Sequence, residues 1–422
     1  MEIKKIEKIV YNLVKKNRKL KNILRNIYQI LNIPRNFFID SLYINNDYLD
    51  LVSYYDNSYF GFHDRPSVNS LGMVINHTNY HVNDDGEGEA SLFISYLDNR
   101  APLNLGKTRC FNFQQGSLAT WIDDDTIIYN TESDGIPKVN IICLGNGSKK
   151  EFDFHYNSVS PNGKYLTVTN FLRYGRGLSG YGYNIDFPLE YKNDAKDKLG
   201  KSSLSDLVIF DVDLNKEVFR ISISEARKKS RGLIESGYFY FSHSSFSQDS
   251  NKVYFLLRSS NDRYNSSQLF SYDIETSNLV SFDTNGMVSH LSWADNFNII
   301  AYANTINFPD GYYRFDLSTG KGTAILPDIL TVDGHPNCLD KKVFFTDTYA
   351  NVMRRQKLKF VDLERNLSVD ICDLYSPFRF RDNNRVDLHP RLSLCKKYLS
   401  IDSSYKGYRC QLIFKLKDKI ME

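Results

Sequence analysis

Short apolar runs separated by polar turns fill most of this chain, and from about residue 55 they settle into a recurring unit. Each unit opens with a tight strand, turns on Asp, Asn or Gly, runs on into a hydrophobic strand and later closes a strand on aspartate. The opening is visible in Asn157-Ser-Val-Ser-Pro-Asn-Gly-Lys-Tyr-Leu166, His243-Ser-Ser-Phe-Ser-Gln-Asp-Ser-Asn-Lys-Val-Tyr254 and His290-Leu-Ser-Trp-Ala-Asp-Asn296, and the closing in apolar runs that end at Asp211, Asp273, Asp316 and Asp362. Anchoring each unit on the apolar residue of its opening strand gives Val68, Trp121, Val159, Phe246, Trp293, Cys338 and Leu392, with gaps of 53, 38, 87, 47, 45 and 54 residues. Seven units of short strands at this period predict an all-β fold, a seven-bladed β-propeller over residues 50–420. The 87-residue gap must hold an insertion: Arg173-Tyr-Gly-Arg-Gly-Leu-Ser-Gly-Tyr-Gly-Tyr183, a lysine-rich stretch to Ser203 and a short helix around 224–229.

The first 35 residues follow another period. Ile3, Ile6, Val10, Leu13, Leu20, Leu24, Ile27 and Leu31 recur at spacings of three and four, which predicts an amphipathic α-helix ending at Pro34. This segment holds ten Lys/Arg against Glu2 and Glu7, although the whole chain carries only +3. It has three readings: packing against the propeller, a short coiled coil with Asn17 setting register, or a helix lying on an anionic membrane surface. Charges of nearly one sign put the membrane surface ahead of the coiled coil, whose flanking pairs need both signs. Outside this segment the net charge is negative and no basic face is evident, so nucleic acid is not an expected partner.

Composition adds a compartment. With 29 Tyr and 28 Phe the chain favours sheet. Its six cysteines include no CxxC pair and read as thiols in a reducing environment. No run of eighteen apolar residues and no leader-like apolar region occurs, so the expected location is cytoplasmic, with at most a peripheral contact at the inner membrane. Neither a GxSxG elbow nor a phosphate-binding loop is present.

Candidate chemistry lies three residues before each anchor, where the units carry Arg65, Leu118, Tyr156, His243, His290, His335 and His389. Four of only eight histidines thus share one structural position in consecutive blades. Because the innermost strand of a propeller blade lines the central channel, their side chains should converge, to hold a divalent metal (Mn, Zn or Ca) or to supply an acid/base group. The plainer reading is that each imidazole bonds its neighbouring blade. His63 and Gln115 lie close to the same position in blades one and two. Asp333 and Asp387, two residues before a channel histidine, either orient an imidazole or form turns, and Cys338 reads as core. The insertion's Arg173, Arg176, Tyr181 and Tyr183 could place guanidinium and phenol groups over the channel mouth.

The segments Gln114-Gln-Gly-Ser-Leu-Ala-Thr-Trp121, Asp333-Gly-His-Pro336, Thr346-Asp-Thr-Tyr349, Tyr375-Ser-Pro377 and Asp387-Leu-His-Pro-Arg391 resemble, in collinear order over residues 55–417, the propeller-type polysaccharide lyases, the oligogalacturonate lyase and ulvan lyase group. The resemblance implies β-elimination on a uronate-containing oligosaccharide or polysaccharide. By it, His243, Tyr181, Tyr183 and Arg173 are the candidate catalytic set, His290, His335 and His389 the candidate metal ligands, and His63, Arg65, Gln115, Arg176 and Arg391 the candidate substrate contacts. Which histidine is base and which is ligand stays open. Many relatives carry Cys two to three residues before the last channel histidine, where this chain has Arg385 and Val386. The alternative function is a non-catalytic glycan-binding or scaffold propeller in bacterial surface-polysaccharide (capsule or O-antigen) biosynthesis.

Overall fold

The computed structural model describes residues 39–78, 88–230, 232–233, 237–261, 265–307 and 309–421, together with Asn26, Ile27, Gln29 and Ile30. Seven antiparallel sheets follow one another along the chain, each wound outward from an inner strand. Six of the seven anchors sit on inner strands, Thr120–Trp121, Tyr156–Val159, Tyr238–Phe246, Thr284–Trp293, Asn337–Cys338 and Arg391–Leu392, whereas Val68 forms an isolated bridge to Val74 beyond the inner strand Ser58–Tyr59 of blade one. The ring is closed by both ends of the chain. Blade seven takes Leu49–Asp56 as its outermost strand, paired from Leu49 opposite Leu416 to Asp56 opposite Cys410. Leu42–Ile44 adds a fifth strand to blade six, so the propeller begins several residues before position 50.

Blades stack face to face, so their middle strands are covered on both sides and read as continuous apolar runs, as in the buried Val253–Leu257 stretch. Apolar clusters accordingly lie between neighbouring blades, for example Phe239, Phe246 and Phe255 with Ile209 between blades three and four. The anchor tryptophans also tie blades together: Trp121 Nε1 donates to Ser67 O at 3.1 Å and Trp293 Nε1 to Ser245 O at 3.0 Å. The closing aspartates have a local cause. Each ends a third strand and accepts backbone N–H groups of the following turn, Asp211 from Asp213 and Leu214, Asp273 from Thr276, Asp316 from Thr319, and Asp362 from Glu364 and Arg365.

The insertion enters blade three between Tyr165–Val168 and Leu207–Asp211. It contains helices Phe171–Gly177, capped by the Asn170 side chain on Arg173 N, and Leu189–Asp194. The helix expected around 224–229 is Ile223–Lys228, closed by a capping box between Ser222 and Glu225. The amphipathic helix expected over residues 1–35 lies outside the described residues, apart from Asn26, Ile27, Gln29 and Ile30, which are helical. No helix among the described residues is long and apolar enough to cross a membrane, and all six cysteines are free thiols.

Candidate functional site

The recurring position three residues before the anchor is where the pairing of blades four and five breaks. Pairing shifts register between Ser242 and Ser245 in blade four and between Val288 and Leu291 in blade five. Leu118, His243 and His389 there adopt positive φ of 56°, 50° and 47°, a conformation that costs on the order of 1–3 kcal/mol for a residue with a Cβ. Such irregularities re-aim side chains. The imidazoles of His243, His290, His335 and His389 turn into the channel, with ring centroids 6.3 Å apart for His243–His290, 4.0 Å for His290–His335 and 4.2 Å for His335–His389.

A fifth imidazole joins them from blade one. It is His63, 5.3 Å from the His335 ring and 5.9 Å from that of His290, whereas Arg65, at the formally equivalent position, is not part of the group. Arg65 is buried, paired with Asp64 and donating to Leu118 O and Asn157 O, so it stitches blades one, two and three together. The expectation that it meets substrate is corrected by those bonds. Phe62, beside His63, stands in the middle of the channel, its ring 4.5–6.3 Å from all five imidazoles. Leu118, Tyr156, Tyr174, Tyr181 and Tyr240 complete an apolar wall with it on the side of blades two to four.

This loop is held in place by three features. Asp402 accepts from Phe60 N and Gly61 N, and Arg391, fully buried, donates to Gly61 O at 2.8 Å and to Asp402 at 2.9 Å. Gly61 has φ of 118°, and a Cβ there would lie 2.4 Å from Gln115 C, so only glycine lets the two loops touch. His63 Nδ1 bonds Pro336 O at 2.8 Å, and Asn337 donates to His63 O. Arg391 is therefore a clamp on the backbone that presents Phe62 and His63. It does not face a ligand, which corrects its assignment as a substrate contact.

Carboxylates fix the imidazoles in turn. Asp347, buried on the second strand of blade six, accepts from His335 N at 2.8 Å, from His389 N at 2.9 Å and from His335 Nδ1 at 2.8 Å. Asp333 does the same for the next blade, 3.2 Å from His290 Nδ1 and accepting from Ser289 Oγ, so it orients an imidazole as well as turning the chain. The Nδ1 atoms of His63, His243 and His335 are engaged, and the Nε2 atoms of His63, His243, His335 and His389 are buried with no hydrogen-bond partner among the described residues. Such orphans cost roughly 1–3 kcal/mol each and are what metal or substrate ligation would satisfy. His335, His389 and Asp387 bring ligand atoms within 4.8 Å of one another, and His290 adjoins them. This donor set fits a divalent metal.

Electrostatics separates the five rings. Burial, followed by repulsion from neighbouring imidazoles or arginine, drives His63, His243, His290 and His389 below the usual histidine range, so they are neutral at pH 7 and ready to ligate or accept a proton. His335 is raised: burial pulls it down, but the Asp347 carboxylate more than compensates, and Asp347 is lowered against its own desolvation by His335. Above His243 stand two phenols, Tyr174 with its hydroxyl 3.3 Å from His243 Nδ1 and Tyr181 with its ring 5.9 Å away. Burial raises both phenol pKa values, keeping the hydroxyls protonated.

The remaining expected residues lie elsewhere. Arg173 is spent on the insertion, its guanidinium bonded to Asp194 and to the carbonyls of Phe239, Asp194 and Asp197, so it holds two helices to blade four and does not reach over the channel. Tyr183 stacks on Phe171 at 4.6 Å and accepts from Asn130, which makes it core. Gln115 is buried, with its Oε1 unpartnered. Arg176 is exposed and lines a groove with Tyr181 and Asn383. Cys338 is core, its thiol pushed up to about 12 by burial. Asp347, Phe62, Tyr349 and Arg385 were not singled out as site residues, although Asp347 and Tyr349 lie in one of the quoted segments.

The architecture is thus a seven-bladed propeller whose channel is half imidazole and half apolar. No family model matches the sequence, and no curated protein matches it. Among solved structures the chain shares the fold of an oligogalacturonate lyase in complex with manganese, at a TM-score of 0.60 and 10% identity over 90% of this chain and 97% of that one. An oligogalacturonate lyase from Vibrio parahaemolyticus is similar at a TM-score of 0.58 and 10% identity, covering 86% of this chain and 92% of that one. At such identity the likeness is one of fold.

Proposed function

We propose that this chain is a lyase that cleaves a uronate-containing glycan by β-elimination in the channel mouth. The observation that carries this reading is the convergence of five imidazoles, four of them with buried, unpartnered Nε2 atoms, beside protonated phenols. His243, held neutral by burial, is the base: its Nε2 takes the proton from C5 of the uronosyl residue. The electron pair left behind forms the C4–C5 double bond as the C4–O bond breaks, and Tyr181 donates its phenolic proton to the departing oxygen. A divalent ion held by His290, His335, His389 and Asp387 would draw charge from the uronate carboxylate and acidify that proton. Imidazole-rich ligation favours zinc over calcium, which takes all-oxygen shells, and manganese is the ion in the similar oligogalacturonate lyase complex. The expected result is ultraviolet absorbance of an unsaturated product when manganese-loaded protein meets oligogalacturonate or ulvan fragments. His243→Asn should cut that rate by about 10²–10⁴-fold with metal content unchanged. Absence of the absorbance with both glycans would overturn the reading.

We also propose that the basic N-terminal segment docks on an anionic membrane from the cytoplasmic side. Ile27 and Ile30, both half exposed, leave part of its apolar stripe uncovered. The protein should cosediment with phosphatidylglycerol vesicles and not with phosphatidylcholine vesicles, and lose that binding when Lys15, Lys16, Lys19 and Lys21 become glutamine. Equal sedimentation of both proteins would refute the docking.

A further inference from the structure

The insertion and blade three enclose a cavity of about 210 Å³ that none of the channel histidines lines. Its walls are largely aromatic. Phe154, in the connection from blade two, packs edge to face against Phe210 of the third strand with ring centroids 5.0 Å apart, and Tyr191 of the helix Leu189–Asp194 adds a third, half-buried ring. Charge enters from one side. Asp206, 8% exposed, lies just before the strand Leu207–Asp211, and Glu217 and Arg220 come from the outermost strand, Lys216–Ile221. The Arg220 guanidinium is already committed, with two bonds to Glu217, one to Ser203 O and one to Asp206 at 3.0 Å. Two carboxylates against one guanidinium leave an excess of negative charge, and burial raises the Asp206 carboxyl despite the arginine beside it.

Two uncharged groups complete the lining. Thr169, 7% exposed, keeps its Oγ1 buried with no hydrogen-bond partner among the described residues, an orphan that a ligand hydroxyl would satisfy. His155 is neutral, pushed down to about 3 by burial, and its Nε2 donates to Thr131 O at 2.9 Å, so its Nδ1 is an acceptor. Aromatic faces beside an unbalanced carboxylate attract an organic cation. A guanidinium spent on the protein's own carboxylates and carbonyl offers an anion little.

We propose that this cavity binds a small cationic amino alcohol, with its ammonium group against Phe154, Phe210, Tyr191 and Asp206 and its hydroxyl on Thr169 Oγ1. The site stands apart from the channel reaction and does not depend on it. The test is calorimetric titration of the full-length protein with choline as the probe. Choline should bind, and its uncharged carbon isostere dimethylbutanol should bind at least about tenfold more weakly for want of the charge. Phosphocholine, with its oxygen esterified and its phosphate brought near Asp206 and Glu217, should also bind more weakly than choline. Thr169→Val removes the hydroxyl at similar volume and should weaken choline roughly tenfold, the effect of one hydrogen bond. The same variant should hold tetramethylammonium, which has no hydroxyl, as well as wild type does. Asp206→Asn should weaken both cations, and thermal melting checks that both variants remain folded. Failure of wild type to bind choline, or equal affinity for dimethylbutanol, would overturn the cation site. Tighter binding of phosphocholine would place the ligand on a headgroup and sink the free amino alcohol, and equal losses of choline and tetramethylammonium in Thr169→Val would do the same.

Discussion

Replacing His335 and His389 together with alanine is expected to take the purified protein from about one equivalent of divalent ion, the complement of a single site, to background by plasma mass spectrometry. The two rings, 4.2 Å apart, are the centre of the donor set, and neither Nε2 has a hydrogen-bond partner among the described residues. The propeller should survive the change. Asp347 loses the His335 Nδ1 bond but keeps both backbone donors, His335 N and His389 N, so its carboxylate is not left stranded. The milder Asp347→Asn variant keeps the rings and disturbs their orientation and basicity, for which about a 10–100-fold loss of metal affinity is expected. Unchanged metal content in the folded double variant would remove these histidines as ligands.

The second large effect separates two roles for one residue. Arg391→Ala breaks a fully buried pair with Asp402 and is expected to cost about 3–5 kcal/mol of stability, read as a lowered denaturant midpoint. Because the pair clamps the loop that presents Phe62 and His63, the folded fraction should also turn over a uronate substrate more slowly through a displaced His63. If the variant cannot be purified, Asp402→Asn, which leaves Arg391 its bonds to Gly61 O and Ser400 Oγ, should show the same trend at smaller size. A variant as stable as wild type, with only a raised KM for a uronate substrate, would restore Arg391 as a substrate contact.

The fold was legible because its signals are local and repeated. An Asx turn after the third strand of four blades and an apolar anchor at the start of each leave marks that need no knowledge of distant residues, and six of the seven anchors fall on inner strands, with Val68 bridging Val74. The convergence of His243, His290, His335 and His389 was legible for the same reason, since one structural position repeated around a ring tends toward its axis, although Arg65 at that position is turned aside to Leu118 O and Asn157 O. The arginines were not. Whether Arg65, Arg173 or Arg391 meets substrate or backbone depends on carbonyls and carboxylates brought close only by folding, such as Gly61 O for Arg391 and Phe239 O for Arg173. Phe62 was hidden because one aromatic among many carries no sign of standing at the centre of a channel. Asp347 is a strand-end aspartate like those that merely close turns, and its task is visible only once His335 and His389 sit above it.

The pairing of Leu49–Asp56 with the last strand of the chain sets a schedule for biogenesis. Those residues are synthesised long before Cys410–Leu416 emerges to meet them. Until then blade seven does not exist, blade one lacks a neighbour, and a strand edge stays available to other nascent copies. Truncation before Cys410 therefore leaves an open arc with two raw ends and not a smaller propeller, and the strand Cys410–Leu416 governs solubility out of proportion to its length.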